Sequence, residues 1–220
     1  MKKTIILILP FLLLLCSHSK KHNGDCNNTV KIDQTLICIP NIKGLTNISK
    51  NKDYDSFVKQ FTVKGNEMLS FYVDNLLIKD AFIPKYSYAS IYINSQLKKD
   101  IDKKTFKEMS NTMGSYLKKV DNIENIIKDV EKNYLKKISL DAPVLIESYS
   151  LNESIKTYIL LGKTIEHNNE IVTLTTLNLM HIQKKMILSN YIIKYDNSNS
   201  INEIKQKNDY FVVRLLNENK

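Results

Sequence analysis

The sequence lacks the short motifs that mark most catalytic and cofactor sites. It has only five glycines, and no glycine-rich segment follows a predicted strand, so a phosphate-cradling loop is not supported. It contains no Gly-x-Ser-x-Gly segment for a nucleophile and no His-Glu-x-x-His segment or paired histidines for a metal. The sequence therefore predicts no catalytic residue, no metal site and no cofactor.

Arginine is almost absent, although the chain is basic. Of 32 basic residues only Arg214 is an arginine, and the formal net charge is +9. Planar, two-pronged recognition of phosphate favours arginine, and the lysines occur in scattered pairs rather than in one block. Together with abundant Asn and Ile, this composition is typical of an AT-rich bacterial genome, and no nucleic-acid partner is expected.

Long hydrophobic runs are also absent, apart from one at the start of the chain. Residues 4–15 are apolar and follow Lys2 and Lys3, which is the pattern of a secretory signal. As a helix this run is about 18 Å long, whereas a bilayer core is about 30 Å thick. We expect residues 1–19 to be a signal peptide and the protein to be exported, either to the periplasm or outer membrane or to the outside of the cell.

Cys16 lies at the end of this run, in the segment Leu-Leu-Leu-Cys. The segment resembles a bacterial lipobox, in which the cysteine receives a diacylglyceryl group and becomes the first mature residue. Leu15 departs from the Gly, Ala or Ser of that pattern. Two outcomes therefore remain open: lipidation at Cys16, which would attach the protein to a membrane, or cleavage after Ser19. Both leave residues 20–29 as a polar, flexible tether.

Cys26 and Cys38 remain as a pair once Cys16 is removed or lipidated. In an oxidising compartment we expect a disulfide between them, which closes a loop of about a dozen residues and stabilises the fold by roughly 3 kcal/mol on the loop-entropy model. A redox-active dithiol is less favoured because the chain has no Cys-x-x-Cys segment.

Strand patterns dominate the first part of the mature chain. Residues 30–40 read as one strand or a tight pair of strands that ends at Pro40. Residues 56–64 and 67–74 read as two further strands, and the Gly65-Asn66 pair between them predicts a hairpin.

Residues 86–94 alternate strictly between two faces of a predicted strand. The aliphatic face consists of Ala89, Ile91 and Ile93. The other face carries Tyr86, Tyr88 and Tyr92. Tyrosines offer amphipathic contact area at low entropic cost, so these three are a candidate binding face. The alternative is that they pack beneath a helix of the same domain.

A helical period replaces the strand pattern at residues 102–137, with apolar residues at three- and four-residue steps and Asp102 as the N-cap. Gly114 and residues 120–122 are weak points, so the segment forms either one long helix or a helix pair.

The last part of the chain reads as a meander and a helix. Residues 144–150, 154–166, 170–182 and 185–195 are four strands whose short connections permit only antiparallel neighbours. Ser200 followed by Glu203 predicts a capping box. The following helix has one apolar face, which must lie on the sheet and consists of Ile201, Ile204, Phe211 and Leu215.

The sum is an α+β fold over residues 30–220, a single domain with one antiparallel sheet. That sheet combines the N-terminal strands with the four-strand meander and packs against the central helix or helix pair and the C-terminal helix. The order of elements, from LICIP through YILLGKTIEHNNEIVTLTTLNLM to SINEIKQKNDYFVVRLL, resembles the PsbP-like fold of small exported proteins such as DcrB-type lipoproteins. The resemblance implies a mostly non-enzymatic accessory or binding module, and it assigns no functional residue.

The preferred hypothesis is therefore a non-enzymatic envelope protein that binds an envelope protein or surface ligand through the exposed side of its sheet. The alternative is a small secreted or periplasmic hydrolase whose site assembles from distant residues such as His181 and Glu147. A third hypothesis is that the basic surface holds anionic lipid, which salt would weaken. The sequence leaves the oligomeric state and the ligand open.

Overall fold

The computed structural model describes residue 26 and residues 28–78, 83–117 and 142–220. The predictions for the signal peptide, for Cys16 and for residues 118–137 of the central helix lie outside these ranges.

The described chain contains nine strands and four α-helices. The strands are β1 (Thr29–Ile32), β2 (Thr35–Cys38), β3 (Leu45–Asn47), β4 (Asn66–Asp74), β5 (Tyr88–Asn94), β6 (Val144–Asn152), β7 (Ile155–Glu166), β8 (Asn169–Ile182) and β9 (Lys185–Lys194). The helices are α1 (Asp55–Lys59), α2 (Asn75–Ile78), α3 (Lys103–Tyr116) and α4 (Asn199–Asn217). Short 3₁₀ turns lie at Lys52–Tyr54 and Ser95–Leu97.

Seven of the strands form one antiparallel sheet in the order β3-β4-β5-β9-β8-β7-β6. The α+β class predicted from the sequence is thereby confirmed. Residues 30–40 form the strands β1 and β2, which make a separate two-stranded antiparallel sheet beside the large one and are not part of the single sheet expected from the sequence.

The C-terminal meander is confirmed strand by strand. The β7–β8 hairpin turns at His167-Asn168 and the β8–β9 hairpin at Gln183-Lys184, and all four residues have φ between 47° and 65°. Two consecutive left-handed residues are the geometry of a type I′ turn, whose twist matches that of the flanking strands. These turns fix the register so that Glu166 faces Asn169 and Ile182 faces Lys185.

The strand predicted for residues 56–64 is wrong, because this segment begins with helix α1. Phe57 and Phe61 lie four residues apart, so a helical turn brings their ring centroids within 5.0 Å and places both rings against Phe71. Gly65 therefore does not open a hairpin. It adopts φ +88° just before β4, which pairs with β3 and β5 instead.

Helix α3 begins where the sequence predicts, because Asp102 Oδ1 accepts a hydrogen bond of 2.7 Å from the Thr105 amide. Gly114 lies inside α3 and does not break it. A Cβ at this position would lie 3.0 Å from the Tyr158 hydroxyl oxygen, so the glycine lets the helix approach the sheet closely.

The capping box predicted at Ser200 is wrong. Helix α4 begins at Asn199, and the Ser200 hydroxyl accepts hydrogen bonds from the amides of Asp196 and Asn197 in the preceding turn. The apolar face of α4 is as predicted, since Ile204, Phe211 and Leu215 are fully buried.

The two faces of the large sheet carry different elements. The face we call the α4 face packs against α4 and the β1–β2 hairpin, where the Phe211 ring makes edge contacts with Tyr72 and Tyr191. Ala89, Ile91 and Ile93 of β5 belong to this core. The opposite face, which we call the α3 face, has one apolar cluster around α1 and another around α3.

Candidate functional site: a tyrosine cleft on the sheet

A small cleft lies on the α3 face where the α1 and α3 clusters meet. Its volume is about 60 Å³, and we call it the tyrosine cleft. Its lining includes the side chains of Phe61, Val63, Tyr88, Ser90, Tyr92 and Asn190.

The alternation of β5 places three of these side chains in one row. Tyr88 packs in the α1 cluster and Tyr92 against the α3 cluster, so Ser90 lies between the two clusters. In the antiparallel pairing of β5 with β9, Ser90 is directly opposite Asn190. Two hydrogen-bonded central strands therefore form the floor of the cleft.

Asn190 provides a free hydrogen-bond donor at this floor. Its Oδ1 accepts the hydroxyl hydrogen of Ser90, which fixes the orientation of the amide. The amide nitrogen makes no hydrogen bond to any residue that the structure describes, and the side chain is only half-buried. A ligand carbonyl or hydroxyl can accept this hydrogen.

Tyr88 and Tyr92 provide amphipathic walls. The Tyr88 residue is 9% exposed, its ring stacks on Phe71 at 4.8 Å, and it lies 4.6 Å from the Phe61 ring. Burial raises the pKa of Tyr92 to about 12, and burial together with the nearby Tyr92 raises the pKa of Tyr88 further. Both phenols are therefore neutral at physiological pH and act as hydrogen-bonding groups rather than charges.

The two hydroxyl groups remain accessible from the cleft. Neither makes a hydrogen bond within the described part of the chain, and neither is among the buried polar atoms that lack a partner. Both oxygens therefore reach solvent, while the rings beneath them are packed.

The three predicted tyrosines do not form one continuous row. Tyr86 lies before β5, is half-buried and does not line the cleft, whereas Tyr88 and Tyr92 do. A binding role for this set stays a prediction.

Sequence reasoning missed Phe61, Val63 and Asn190. The first two lie just after α1, in the segment predicted as a strand, so the sequence did not indicate that they lie beside the cleft. Asn190 had a detectable signal, because it is a polar residue inside the apolar run of β9. Its partner Ser90 could not be identified without knowing that β5 and β9 are neighbours.

The cysteine pair lies on the other side of the molecule. The sulfurs of Cys26 and Cys38 are 2.12 Å apart, which is the disulfide expected from the sequence. The side chain of Asn219 donates to the Cys38 carbonyl oxygen at 2.9 Å and accepts from its amide at 2.7 Å. The end of β2 is therefore tied both to the preceding segment and to the C-terminal end of the chain.

His181 and Glu147, the two residues named in the hydrolase hypothesis, lie on opposite faces of the sheet. His181 Nε2 lies 2.9 Å from the Ile101 carbonyl oxygen, and its ring stacks on Phe106 of α3. Glu147 forms an ion pair of 2.7 Å with Lys205 of α4. The structure does not bring the two groups together.

His167 lies in the β7–β8 turn, at the opposite end of that hairpin from His181, as the sequence predicts. Among the residues that the structure describes, no three His, Cys, Asp or Glu side chains form a group that could hold a metal ion.

No protein-family model, no curated protein sequence and no solved structure matches this chain. Within the described ranges, none of the helices is both long enough and apolar enough to span a bilayer.

Proposed function

We propose that the protein is an exported binding or accessory module of the cell envelope, and that it holds a segment of a partner protein in the tyrosine cleft without transforming it. The observation that carries the proposal is the cleft itself: two accessible tyrosine hydroxyls and one free amide donor above a floor of paired central strands.

The size of the cleft favours a protein partner over a free small molecule. Its volume of about 60 Å³ is far below the roughly 300–1,000 Å³ of typical small-molecule sites. A cleft of this size accommodates a single apolar side chain, while the Asn190 amide donates to a backbone carbonyl beside it. Tyrosine walls of this kind are enriched at protein interfaces.

Export is supported by two independent features. The first is the signal pattern of residues 1–19, and the second is the disulfide between Cys26 and Cys38, since structural disulfides persist mainly outside the reducing cytosol. The order of elements that resembles PsbP-like exported proteins agrees with an accessory role. Attachment through a lipid on Cys16 and release by cleavage after Ser19 remain the two forms of this proposal.

The binding role is tested by site-specific photocrosslinking in intact cells. A benzophenone amino acid replaces Val63, which is exposed at the rim of the cleft, and in a matched control it replaces the exposed Leu76 of α2. We expect a discrete adduct from position 63 only, and we expect Asn190→Lys to abolish it by filling the cleft.

Two outcomes would contradict the binding role. One is the same adducts from positions 63 and 76. The other is the absence of adducts while the purified protein turns over substrates in a hydrolase screen and His181→Ala abolishes that turnover.

Export is tested by the intact mass of the native protein, measured with and without reduction. We expect a chain that starts at Lys20, or one that starts at Cys16 and carries acyl chains, and in both cases a gain of two hydrogens on reduction of Cys26 and Cys38. A mass that still includes residues 1–15 would contradict export.

A further inference from the structure

No charged side chain of the described residues lines the tyrosine cleft, although charged residues make up 25% of the chain. The phenols of Tyr88 and Tyr92 are neutral as well, because burial raises the pKa of each. A phosphate, carboxylate or ammonium group would lose water in the cleft without meeting an opposite charge. The cleft therefore suits an uncharged part of a ligand.

The cleft contains a second free amide besides that of Asn190. Asn66, at the start of β4, also lines it, and the Asn94 side chain donates to Asn66 Oδ1 at 3.1 Å. The Asn66 amide nitrogen makes no hydrogen bond to any residue that the structure describes. In both asparagines of the cleft a neighbouring side chain therefore occupies the oxygen, while the nitrogen, which can only donate, is left for a ligand.

The backbone beneath the cleft has no strand edge to offer. Strand β5 is paired with β4 on one side and with β9 on the other, so the cleft lies over the middle of the sheet. A partner segment cannot bind here as an added strand, because that mode of binding needs an exposed strand edge. It must instead place its own backbone carbonyl oxygens on the side-chain donors.

Three kinds of partner backbone differ in how well they match these donors. In a helix, the interior carbonyl oxygens are already bonded to amides of the same helix. A strand brings one N–H group for every carbonyl, and an N–H group that faces the aromatic walls loses water without gaining an acceptor. A proline-rich segment in the polyproline II conformation has no internal hydrogen bonds, and proline has no N–H group. It therefore supplies acceptors without donors.

The walls of the cleft suit proline rings. The ring centroids of Phe61 and Tyr88 are 4.6 Å apart, and Val63, at the rim, is 64% exposed. A volume of about 60 Å³ leaves room for one small ring rather than for a long side chain. Aromatic-lined grooves bind proline-rich segments with little loss of conformational entropy, because the polyproline II helix is preformed.

The two free amides are far enough apart to contact one extended segment at two points. Asn66 is opposite Asn94 of β5. Asn190, on the other neighbour of β5, is opposite Ser90, four residues away along that strand. At the usual strand spacings the Cα atoms of Asn66 and Asn190 are roughly 16 Å apart. A polyproline II segment rises about 3.1 Å per residue and covers this distance in about five residues.

We infer that the tyrosine cleft holds a proline-rich segment of its partner in the polyproline II conformation, an inference that rests on the proposed function. One proline ring lies over Ser90, between the rings of Tyr88 and Tyr92. Carbonyl oxygens on either side of it accept hydrogen bonds from the amides of Asn66 and Asn190. The segment is uncharged where it crosses the cleft.

Titration of the full mature, oxidised protein, labelled with ¹⁵N, with acetylated and amidated hexaproline tests this inference. The control is hexaalanine with the same end groups, which has the same backbone carbonyls but adds an N–H group at every residue and lacks the rings. We expect hexaproline to shift the side-chain amide signals of Asn66 and Asn190 saturably, with a Kd at least about tenfold lower than that of hexaalanine.

Matched variants locate the site. Asn190→Asp keeps the acceptor for Ser90 but replaces the donating amide with a carboxylate oxygen, which repels a carbonyl. We expect it to weaken hexaproline binding about tenfold or more, whereas Asn202→Asp adds the same charge on the exposed side of α4 and leaves binding unchanged. Tyr88→Phe/Tyr92→Phe removes only two hydroxyls that reach solvent and keeps the packed rings, so it folds and should weaken binding about threefold or more.

Equal Kd values for hexaproline and hexaalanine would overturn the inference, and so would equal losses of affinity in Asn190→Asp and Asn202→Asp. Tighter binding of an amphipathic helical peptide would identify a helix as the occupant instead.

The cellular adduct from position 63 separates this inference from the proposed function. If the crosslinked segment of the partner contains no proline, the inference fails and the binding role stands. If hexaproline binds selectively but position 63 gives no adduct, the binding role fails, while the chemistry inferred for the cleft is supported.

Discussion

Lys185 shows how one buried charge joins three separate segments. Its side chain is 3% exposed, and its ammonium contacts Asp100 at 2.9 Å, Asp33 at 3.2 Å and the Lys98 carbonyl oxygen at 2.6 Å. Asp33 is in the β1–β2 turn, where it adopts φ +53°. The ammonium therefore ties this turn and the loop before α3 to the start of β9.

The ion pair between Lys185 and Asp100 lowers the pKa of the acid and raises the pKa of the lysine. The hydrogen bond from Lys185 lowers the pKa of Asp100 below its ordinary value of 3.8. Burial lowers the pKa of Lys185, but the hydrogen bonds to Asp100 and Asp33 raise it by more, so the net value lies above 10.5. The ion pair therefore stabilises the fold at pH values between the pKa of Asp100 and the pKa of Lys185. It is lost as pH falls through the lowered pKa of Asp100 or rises through the raised pKa of Lys185.

We predict that removing both acids is more damaging than removing the lysine. Asp33→Asn/Asp100→Asn leaves a buried ammonium without an anionic partner, whereas Lys185→Met leaves two carboxylates that are 51% and 58% exposed and hydrated. Urea midpoints at neutral pH should rank native above Lys185→Met and Lys185→Met above the double variant. The gap between native and Lys185→Met should shrink below pH 3.8 as Asp100 becomes protonated. The reverse ranking, or a gap that widens in acid, would contradict this interpretation.

Asn178 and Asn208 form a buried polar pair between the sheet and α4. Both are fully buried, and each amide donates to the carbonyl oxygen of the other, at 2.8 and 3.0 Å. Thr157 and Thr176 donate to the same two oxygens at 2.8 and 2.7 Å. The pair satisfies its hydrogen bonds only when α4 has one particular position along the sheet.

We predict that Asn208→Ala lowers the free energy of unfolding by about 2–3 kcal/mol, because it removes both reciprocal hydrogen bonds with Asn178 and leaves the buried Asn178 amide only its longer contacts, to Ser189 at 3.2 Å and Thr176 at 3.4 Å. Asn202→Ala, on the exposed side of the same helix, should change it by less than about 0.5 kcal/mol. Chemical denaturation of both variants measures the difference. Equal effects would show that the Asn178–Asn208 pair contributes nothing to the position of α4.

At the scale of elements, α4 is held by its apolar face as well as by Asn208. Phe211 is fully buried, with its ring centroid 5.6 Å from that of Tyr72 and 6.0 Å from that of Tyr191. The neighbouring Tyr210 points to the outside and is 50% exposed. These two adjacent aromatic residues of α4 therefore differ in burial, since Phe211 packs against the sheet and Tyr210 faces solvent.

We predict that Phe211→Ala lowers the free energy of unfolding by about 3–5 kcal/mol, since it removes a large ring and leaves a cavity against the sheet. Tyr210→Ala should cost less than about 0.5 kcal/mol and serves as the control. Thermal or urea denaturation measures both. A loss below 1 kcal/mol for Phe211→Ala would mean that α4 does not depend on this contact.

On the scale of the whole molecule, the large sheet is closed by the pairing of β5 with β9. This ladder joins β3–β5 to the meander β6–β9, and the partners Ser90 and Asn190 are 100 residues apart in the chain. The meander forms from local hairpins, whereas the β5–β9 ladder requires a long loop to close first.

We predict that refolding with the disulfide intact takes milliseconds to seconds, because sheets rich in long-range pairs fold slowly. Since the chain contains no tryptophan, tyrosine fluorescence in a stopped-flow instrument follows the reaction. Recovery of most of the native signal within about 100 μs would contradict a rate limited by long-range strand pairing.

Local patterns in the sequence determined the elements whose contacts are local. The four-strand meander, the strand structure of residues 30–40, the N-cap at Asp102 and the apolar face of α4 were predicted correctly, because hairpin turns and side-chain periods act over a few residues. The prediction of a strand at residues 56–64 was wrong because a short apolar stretch fits both the helical and the strand period. The packing of Phe57 and Phe61 on Phe71 favours the helix.

Tertiary structure alone decided which polar groups meet. Ser90 and Asn190 face each other only because β5 lies beside β9. Lys185 meets Asp33 through the path of the β1–β2 hairpin and Asp100 through the path of the loop before α3. Strand order is set by the burial of both faces of the sheet at once, which is a property of the whole chain. The sequence by itself determined the α+β class, and the fold determined which polar side chains lie together on the sheet.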